Sequence, residues 1–229
     1  MIFLITGTSK GIGRYLVQYY TSKNNIVIGC SRGEVGFQID NYFHKSLDVS
    51  KEEHVFELFK TIKDRYGSLD VLINNAGIAS MNHSLTTPLK TVEKIFNTNL
   101  IGTMLCSKEA VKIMQPQGFG RIVNFSSIAT SLNYEGEAIY AASKSGIVSF
   151  TNSLAKEVAK YGITVNAVGP TALKTDLNKA VSSKKLDLSL EYQAIKRYGE
   201  FKDISNVIDF FILKDSDFVT GQTLYLGGI

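Results

Sequence analysis

Tyr140 and Lys144 stand four residues apart in a segment, Ala138–Tyr161, whose apolar spacing predicts a helix. Residues four apart lie about one turn above each other, so the phenol and the ammonium share a face. A free phenol titrates at about pH 10 and exchanges protons poorly near neutrality. A neighbouring ammonium favours the phenolate and is expected to bring the phenol toward the range that general acid–base catalysis needs. Thirteen residues before Tyr140, at the end of an expected strand, is Ser127, with Ser126 as the alternative serine. Taken alone, a Tyr-x-x-x-Lys pair also fits a solvated helix face.

A second constellation opens the chain. The run Ile2–Thr6 reads as a strand and leads into Gly7-Thr8-Ser9-Lys10-Gly11-Ile12-Gly13 and then a helical stretch, Gly11–Lys23. Glycines at 7, 11 and 13 permit a tight turn, a close approach of backbone to a pyrophosphate, and close packing of helix on strand. The N–H groups of the helix start then face the phosphates. The spacing is G-x-x-x-G-x-G and not the G-x-G-x-x-G fingerprint. Cofactor choice is read after the second strand, where a carboxylate would accept from a ribose 2′-hydroxyl and an arginine would receive a 2′-phosphate. Here the chain reads Gly29-Cys30-Ser31-Arg32, with no carboxylate before Glu34. Arg32 can fork onto a phosphate, and Lys10 adds a second positive charge, so the reading is NADP(H).

These groups need a scaffold that brings strand ends together. Short apolar runs at Ile2–Thr6, Ile26–Cys30, Phe43–Leu47, Val71–Asn74, Arg121–Phe125, Thr164–Val168 and Thr223–Leu226 alternate with helical stretches at Gly11–Lys23, Leu89–Met114, Ala138–Tyr161 and Asp203–Leu213. Val55, Leu58, Phe59 and Ile62 mark a further helix face, with Ser50 and Glu53 spaced as a capping box before it. Alternation of this kind predicts an α/β fold, one doubly wound parallel sheet of about seven strands with helices on both faces. Two stretches break the rhythm. The second crossover is too short for a full helix, and Leu173–Arg197 is long and weakly periodic, as a lid over a site would be. That segment holds Lys174, Lys179, Lys184, Lys185, Lys196 and Arg197 against Asp176, Asp187 and Glu191. It reads either as a solvated surface or as a receiver for an acidic substrate or carrier.

Composition narrows the classes further. The chain has 229 residues, a net charge of +4 and 44% hydrophobic residues, which fits one domain spanning residues 1–229. No apolar run is long enough for a bilayer span, and no basic cluster or motif points to nucleic acid. The opening apolar run is too short for a secretory signal, so a cytoplasmic location with two reduced thiols, Cys30 and Cys106, is expected. His44, His54 and His83 lack metal-ligand spacing. No metal is expected.

Six motifs in register give the chain a family resemblance over its whole length: Thr6-Gly7-x-x-x-Gly11-Ile12-Gly13, Leu47-Asp48-Val49, Asn74-Asn75-Ala76-Gly77, Asn99, Ser127 and Tyr140-Ala141-Ala142-Ser143-Lys144. It resembles the short-chain dehydrogenase/reductase family, and most of all its 3-oxoacyl-[acyl-carrier-protein] reductases and similar ketoreductases. The resemblance implies a Rossmann-type fold and an NADPH-dependent reduction of a ketone to a secondary alcohol. In that reading Tyr140 protonates the carbonyl oxygen, Ser127 orients it, Lys144 holds the ribose and tunes Tyr140, and Asn99 (with Asn97 as its rival) keeps a water that relays protons. The cofactor would be met by Gly7, Thr8, Ser9, Lys10, Gly11 and Ile12 at the pyrophosphate and by Arg32 at the 2′-phosphate. Asp48 and Val49 would meet the adenine, Asn75, Ala76 and Gly77 the adenosine ribose, and Pro170, Leu173 and Thr175 the nicotinamide. The resemblance also implies a homotetramer or homodimer paired through Leu89–Met114 and Ala138–Tyr161. A 3-oxoacyl thioester is the leading substrate, with acyl carrier protein as a partner. A keto-sugar of polysaccharide biosynthesis is the alternative, and a non-catalytic NADP(H) sensor the remote one. Two departures stand out: Thr171 replaces the usual glycine after Pro170, and Gly118 and Tyr161 stand where carrier-docking arginines would be sought.

Overall fold

The computed structural model describes residues 1–173 and 190–229. Seven parallel strands, β1 (Ile2–Thr6), β2 (Ile26–Ser31), β3 (Tyr42–Ser46), β4 (Val71–Asn74), β5 (Gly120–Phe125), β6 (Ile163–Gly169) and β7 (Thr223–Tyr225), form one sheet. Their order is β3-β2-β1-β4-β5-β6-β7. The direction of winding reverses between β1 and β4, so a crevice opens there at the carboxyl ends of the strands. The helices are α1 (Gly11–Ser22), α2 (Glu52–Tyr66), α3 (Leu89–Phe96), α4 (Gly102–Gln117), α5 (Ala129–Leu132), α6 (Ala138–Val158) and α7 (Phe201–Ile212).

Strand alternation builds two core layers. Leu4, Ile28, Leu72, Ile122 and Val165 pack with residues of α2, α4 and α6, including Leu58, Ile62, Met114 and Val158. Phe3, Ile5, Val71, Ile73, Val123 and Phe125 face the other way, onto Leu16 and Val17 of α1 and Ile204, Ile208 and Phe211 of α7. A strand covered on both faces has no polar side to show, and so Val71-Leu72-Ile73 is wholly buried, as a parallel sheet predicts. A polar stitch crosses this core just below the crevice. Asn74 Nδ2 donates to Ser107 Oγ (3.0 Å) and Asn124 Oδ1 (2.9 Å), and Asn124 Nδ2 donates to Thr151 Oγ1 (2.9 Å). It fixes β4 to α4 and β5 to α6, at the last residue of β4 and one residue before the end of β5. Cys30 and Cys106 are free thiols, as expected, and lie fully buried.

Two local expectations change and a third holds. Ser50 does not cap α2: its N–H and hydroxyl both bond Asp48 Oδ1 (2.9 and 2.8 Å), while Lys51 is the cap residue and makes no side-chain cap bond. An Asx-type turn competes for the serine and wins. The chain's capping box lies instead at Glu200 and Asp203, where α7 begins. The expected helix Leu89–Met114 is interrupted by a π-helical turn at Asn97–Ile101 between α3 and α4, a distortion that recurs at functional sites. The second crossover, residues 32–41, holds no helix, as its length implied.

Candidate active site

A cleft of about 750 Å³ lies at the carboxyl edge of the sheet. Of the residues singled out from sequence, it is lined by Gly7, Ser9, Lys10, Gly11, Ile12, Arg32, Asp48, Val49, Asn75, Ala76, Gly77, Ser127, Tyr140, Lys144, Pro170 and Leu173. Three others stand apart. Thr8 is fully buried beneath the turn, where its hydroxyl meets Tyr42 and His44 instead of the cleft. Asn99 lies behind the wall, fully buried. Thr175 falls outside the described residues, as do Lys174, Asp176, Lys179, Lys184, Lys185 and Asp187 of the expected lid. Of that segment's remaining charges, Arg197 forks onto Asp203 (2.7 and 2.9 Å) and pins the start of α7.

The glycine turn is shaped by contact. Gly7 has φ +76°, and a Cβ there would stand 2.9 Å from Ala76 Cα; a Cβ at Gly13 would collide with the Gly7 carbonyl oxygen. Asn75 closes the turn from the β4 side, its Nδ2 donating to the carbonyls of Thr6 (2.8 Å) and Gly7 (3.1 Å). The first turn of α1 has no side-chain cap and no acidic residue. Its N–H groups and partial positive charge therefore face the cleft, where they suit a pyrophosphate. At the far end, burial works against the Asp48 carboxylate, but the bonds from Ser50 and the charges of Arg32 and Lys51 hold it below its usual range. An uncapped helix start, a basic pair at Lys10 and Arg32, and an open glycine turn fit a phosphorylated dinucleotide.

The residues singled out for acid–base chemistry lie together on the cleft wall. Tyr140 and Lys144 sit one turn apart on α6, and Ser127 follows β5, its Oγ accepting from the Ala129 N–H at 3.2 Å. Burial lifts the Tyr140 phenol to about 12, the Ser127 hydroxyl beside it opposes the rise, and the Glu137 carboxylate adds to it. Burial also lowers the Lys144 ammonium to about 8. The expectation that Lys144 would pull Tyr140 down is thus reversed here. Lys144 Nζ donates to the Phe125 carbonyl at 2.7 Å and stands 5.9 Å from the centre of the Tyr140 ring, so desolvation outweighs its attraction.

Asn99 is held by Ile78: its Nδ2 donates to the Ile78 carbonyl (2.9 Å) and Ser143 Oγ (3.1 Å), and its Oδ1 accepts from the Ile78 N–H (2.8 Å). The Asn99 carbonyl accepts from Thr103 Oγ1 at 2.7 Å. Asn97, its rival from sequence, is exposed. Ser126 also lines the cleft; its hydroxyl, like that of Thr171, is buried with no hydrogen-bond partner. Thr171 is accommodated by Gly199, where a Cβ would stand 2.9 Å from the threonine methyl. Sequence reasoning missed the wall beyond Tyr140: Ile78, Ala79, Met81, Ile128, Tyr134, Glu135, Glu137 and Tyr192 line it. No spacing marks these residues, because they come from three separate loops. Among the described residues no metal-ligand cluster occurs, and no helix is long and apolar enough to cross a membrane.

Comparison with known proteins agrees with this geometry. The family described as short chain dehydrogenase matches residues 1–186. The 3-oxoacyl-[acyl-carrier-protein] reductase of Haemophilus influenzae is 36% identical over 99% of this chain and 96% of its own length. The solved structure of ElxO with NADP bound superposes with a TM-score of 0.89 at 33% identity, covering 98% of this chain and 96% of that one. That of 4-hydroxyisoleucine dehydrogenase complexed with NADH gives 0.87 at 27% identity, covering 99% and 97%. With the glycine turn, the β4 strand-end asparagine and the Ser-Tyr-Lys group all converging on one cleft, the chain belongs to the short-chain dehydrogenase family.

Proposed function

We propose that this protein is an NADPH-dependent ketoreductase that converts a 3-oxoacyl thioester to the 3-hydroxyacyl thioester. The observation that carries the reading is the convergence of Ser127, Tyr140 and Lys144 on one cleft wall, with the phenol held protonated through neutrality. NADPH, when bound, supplies the hydride that the carbonyl carbon accepts. The Ser127 hydroxyl donates to the carbonyl oxygen and aims it at Tyr140. As negative charge develops on that oxygen, the Tyr140 O–H transfers its proton there, so the C=O bond becomes CH–OH and a phenolate remains. The Lys144 ammonium, buried one turn away, stabilises that phenolate until a proton is returned to it. Asn99 holds the π-turn and the Ile78 strand-end loop in place, so that a water at this wall can return the proton.

Arg32 and Lys10 select NADPH by meeting its 2′-phosphate, with no carboxylate at the end of β2 to compete. The relatives named as acyl-carrier-protein reductases support the thioester. Glu135 and Glu137 on the cleft wall favour, as a second reading, a hydroxyl-rich keto compound whose donors those carboxylates would accept. NADPH consumption with an acetoacetyl thioester and with a keto-sugar separates the two. Turnover of the thioester that vanishes in Tyr140→Phe supports the proposal; turnover of the sugar alone replaces its substrate.

A further inference from the structure

Because residues 32–41 form no helix, the sheet edge at β3 is closed by side chains instead. Tyr42, His44 and Ser46 are two apart along the strand and share a face. All three reach across it. Ser46 Oγ donates to the Glu34 carboxylate at 2.7 Å. His44 Nε2 lies 3.1 Å from the Gly33 carbonyl oxygen and 3.3 Å from Ser31 Oγ, and the Ser31 hydroxyl donates to that same carbonyl at 2.9 Å. A carbonyl only accepts, so Nε2 carries a proton in this arrangement. On the other side of the ring, Nδ1 is 2.9 Å from the Tyr42 hydroxyl, which is 2.8 Å from Thr8 Oγ1 in the glycine turn. The Tyr42 ring is stacked on Phe37, with centroids 5.5 Å apart, and the Arg14 guanidinium caps Phe37 at 4.8 Å.

Ser31 and Gly33 are the two chain neighbours of Arg32, and His44 holds both. An arginine on a free turn loses backbone as well as side-chain entropy when it engages a phosphate, whereas one on a clamped turn loses only the latter. We propose that His44 is a positioning residue for cofactor selection. It clamps the turn that presents Arg32 to a 2′-phosphate and, through Tyr42 and Thr8, ties that turn to the one that meets the pyrophosphate. The inference rests on the NADP(H) reading above and adds to it a residue that touches no part of the cofactor. Sequence analysis treated His44 as one of three scattered histidines and Thr8 as a cofactor contact; the geometry makes them two ends of one strut.

The test is equilibrium binding of NADPH and of NADH, each followed by reduced-nicotinamide fluorescence, to wild type, His44→Ala, His44→Gln, Arg32→Ala and the double variant His44→Ala/Arg32→Ala. Loss of the clamp is expected to weaken NADPH about tenfold, the scale of one or two hydrogen bonds, while NADH stays within about twofold. Glutamine can return an N–H to the Gly33 carbonyl and is expected to recover most of the loss. In the Arg32→Ala background the His44 substitution should add nothing to the NADPH constant, the mark of two residues acting as a unit. Equal weakening of both cofactors, an unchanged NADPH constant, or full additivity with Arg32→Ala would each overturn the assignment. If Arg32→Ala itself left the NADPH preference intact, the cofactor reading beneath it would fall. Should His44→Ala not fold, Ser31→Ala removes one hydroxyl of the clamp: a loss of about threefold confined to NADPH supports the proposal, and an equal loss on NADH refutes it.

Discussion

Lys144 is the place where the catalytic reading makes a claim on stability. The residue is 4% exposed, and its ammonium has one hydrogen-bond acceptor in the described structure, the Phe125 carbonyl. Burial lowers it from an ordinary 10.5 to about 8. Below pH 8 both folded and unfolded chains carry the proton, and the folded chain bears the whole desolvation cost. Between about 8 and 10.5 the folded chain releases the proton while the unfolded chain keeps it, so stability rises with pH across that window. The full span corresponds to about 3 kcal/mol and the part completed by pH 9.5 to roughly 2 kcal/mol. Lys144→Met removes the titration, and it also removes the bond to the Phe125 carbonyl. That second effect does not depend on pH, so the difference between the two proteins isolates the ionisation.

The measurement is urea unfolding of the unliganded wild type and Lys144→Met at pH 7.0 and 9.5. Wild type is expected to gain roughly 2 kcal/mol on the variant between the two values, with equal m-values. The upper limit stays below the range in which Tyr140, held at about 12 in the fold, parts from an unfolded phenol. Parallel curves would mean that the ammonium is solvated or paired in the folded chain. A wild type that loses ground would mean that an anion stabilises it. Either result removes the basis for treating Lys144 as a buried charge reserved for the phenolate.

Other expectations follow from the same geometry. Tyr140→Phe should lower kcat about 100- to 10,000-fold, the usual worth of a positioned proton donor, while NADPH still binds; steady-state kinetics beside fluorescence titration decides. Gly13→Ala places a methyl against the Gly7 carbonyl, and should cost about 1–3 kcal/mol in chemical denaturation as the turn is pushed open. Asn99→Ala strips the Ile78 N–H and carbonyl of their buried partners and should cost about 2–3 kcal/mol, read as a fall in the urea midpoint.

How much of this was legible beforehand divides along a physical line. Alternating apolar runs reach their pattern through nearest neighbours, so all seven strands could be read to within one or two residues. The motif residues that line the cleft were legible for a similar reason, since each lies at the end of a strand or one turn into a helix. What failed depends on competition between partners. Ser50 has the spacing of a cap, but Asp48 two residues earlier offers a nearer acceptor. Asn99 lies in a helical pattern whose local winding is set by its bonds to Ile78, far away in the chain. Tyr140 and Lys144 were correctly paired, yet the sign of the phenol's shift depends on desolvation, which periodicity does not report. Thr8 belongs to the cofactor turn by register, while its side chain is buried against Tyr42 and His44, partners that no local spacing reports.

Among the described residues, two buried cations at opposite ends of the strands show why burial alone does not identify a catalytic group. Arg121, 2% exposed at the start of β5, donates to the carbonyls of Gly120, Gly162 and Lys214 and lies over the Phe119 ring at 4.4 Å. A guanidinium keeps its charge at any working pH, and its two terminal nitrogens here donate to three backbone carbonyls while Nε stays unpaired, so it acts as a staple. Lys144, at the other end, has a single carbonyl for three donors and a charge that burial has made removable. Its surroundings share that incompleteness: Ser126 and Thr171 on the same cleft wall hold buried hydroxyls without partners. A folded chain tolerates such deficits where a ligand completes them. The cation whose charge is fixed fastens the amino-terminal end of the sheet to its neighbouring carbonyls, and the one whose charge is removable stands at the carboxyl end, where the cleft opens.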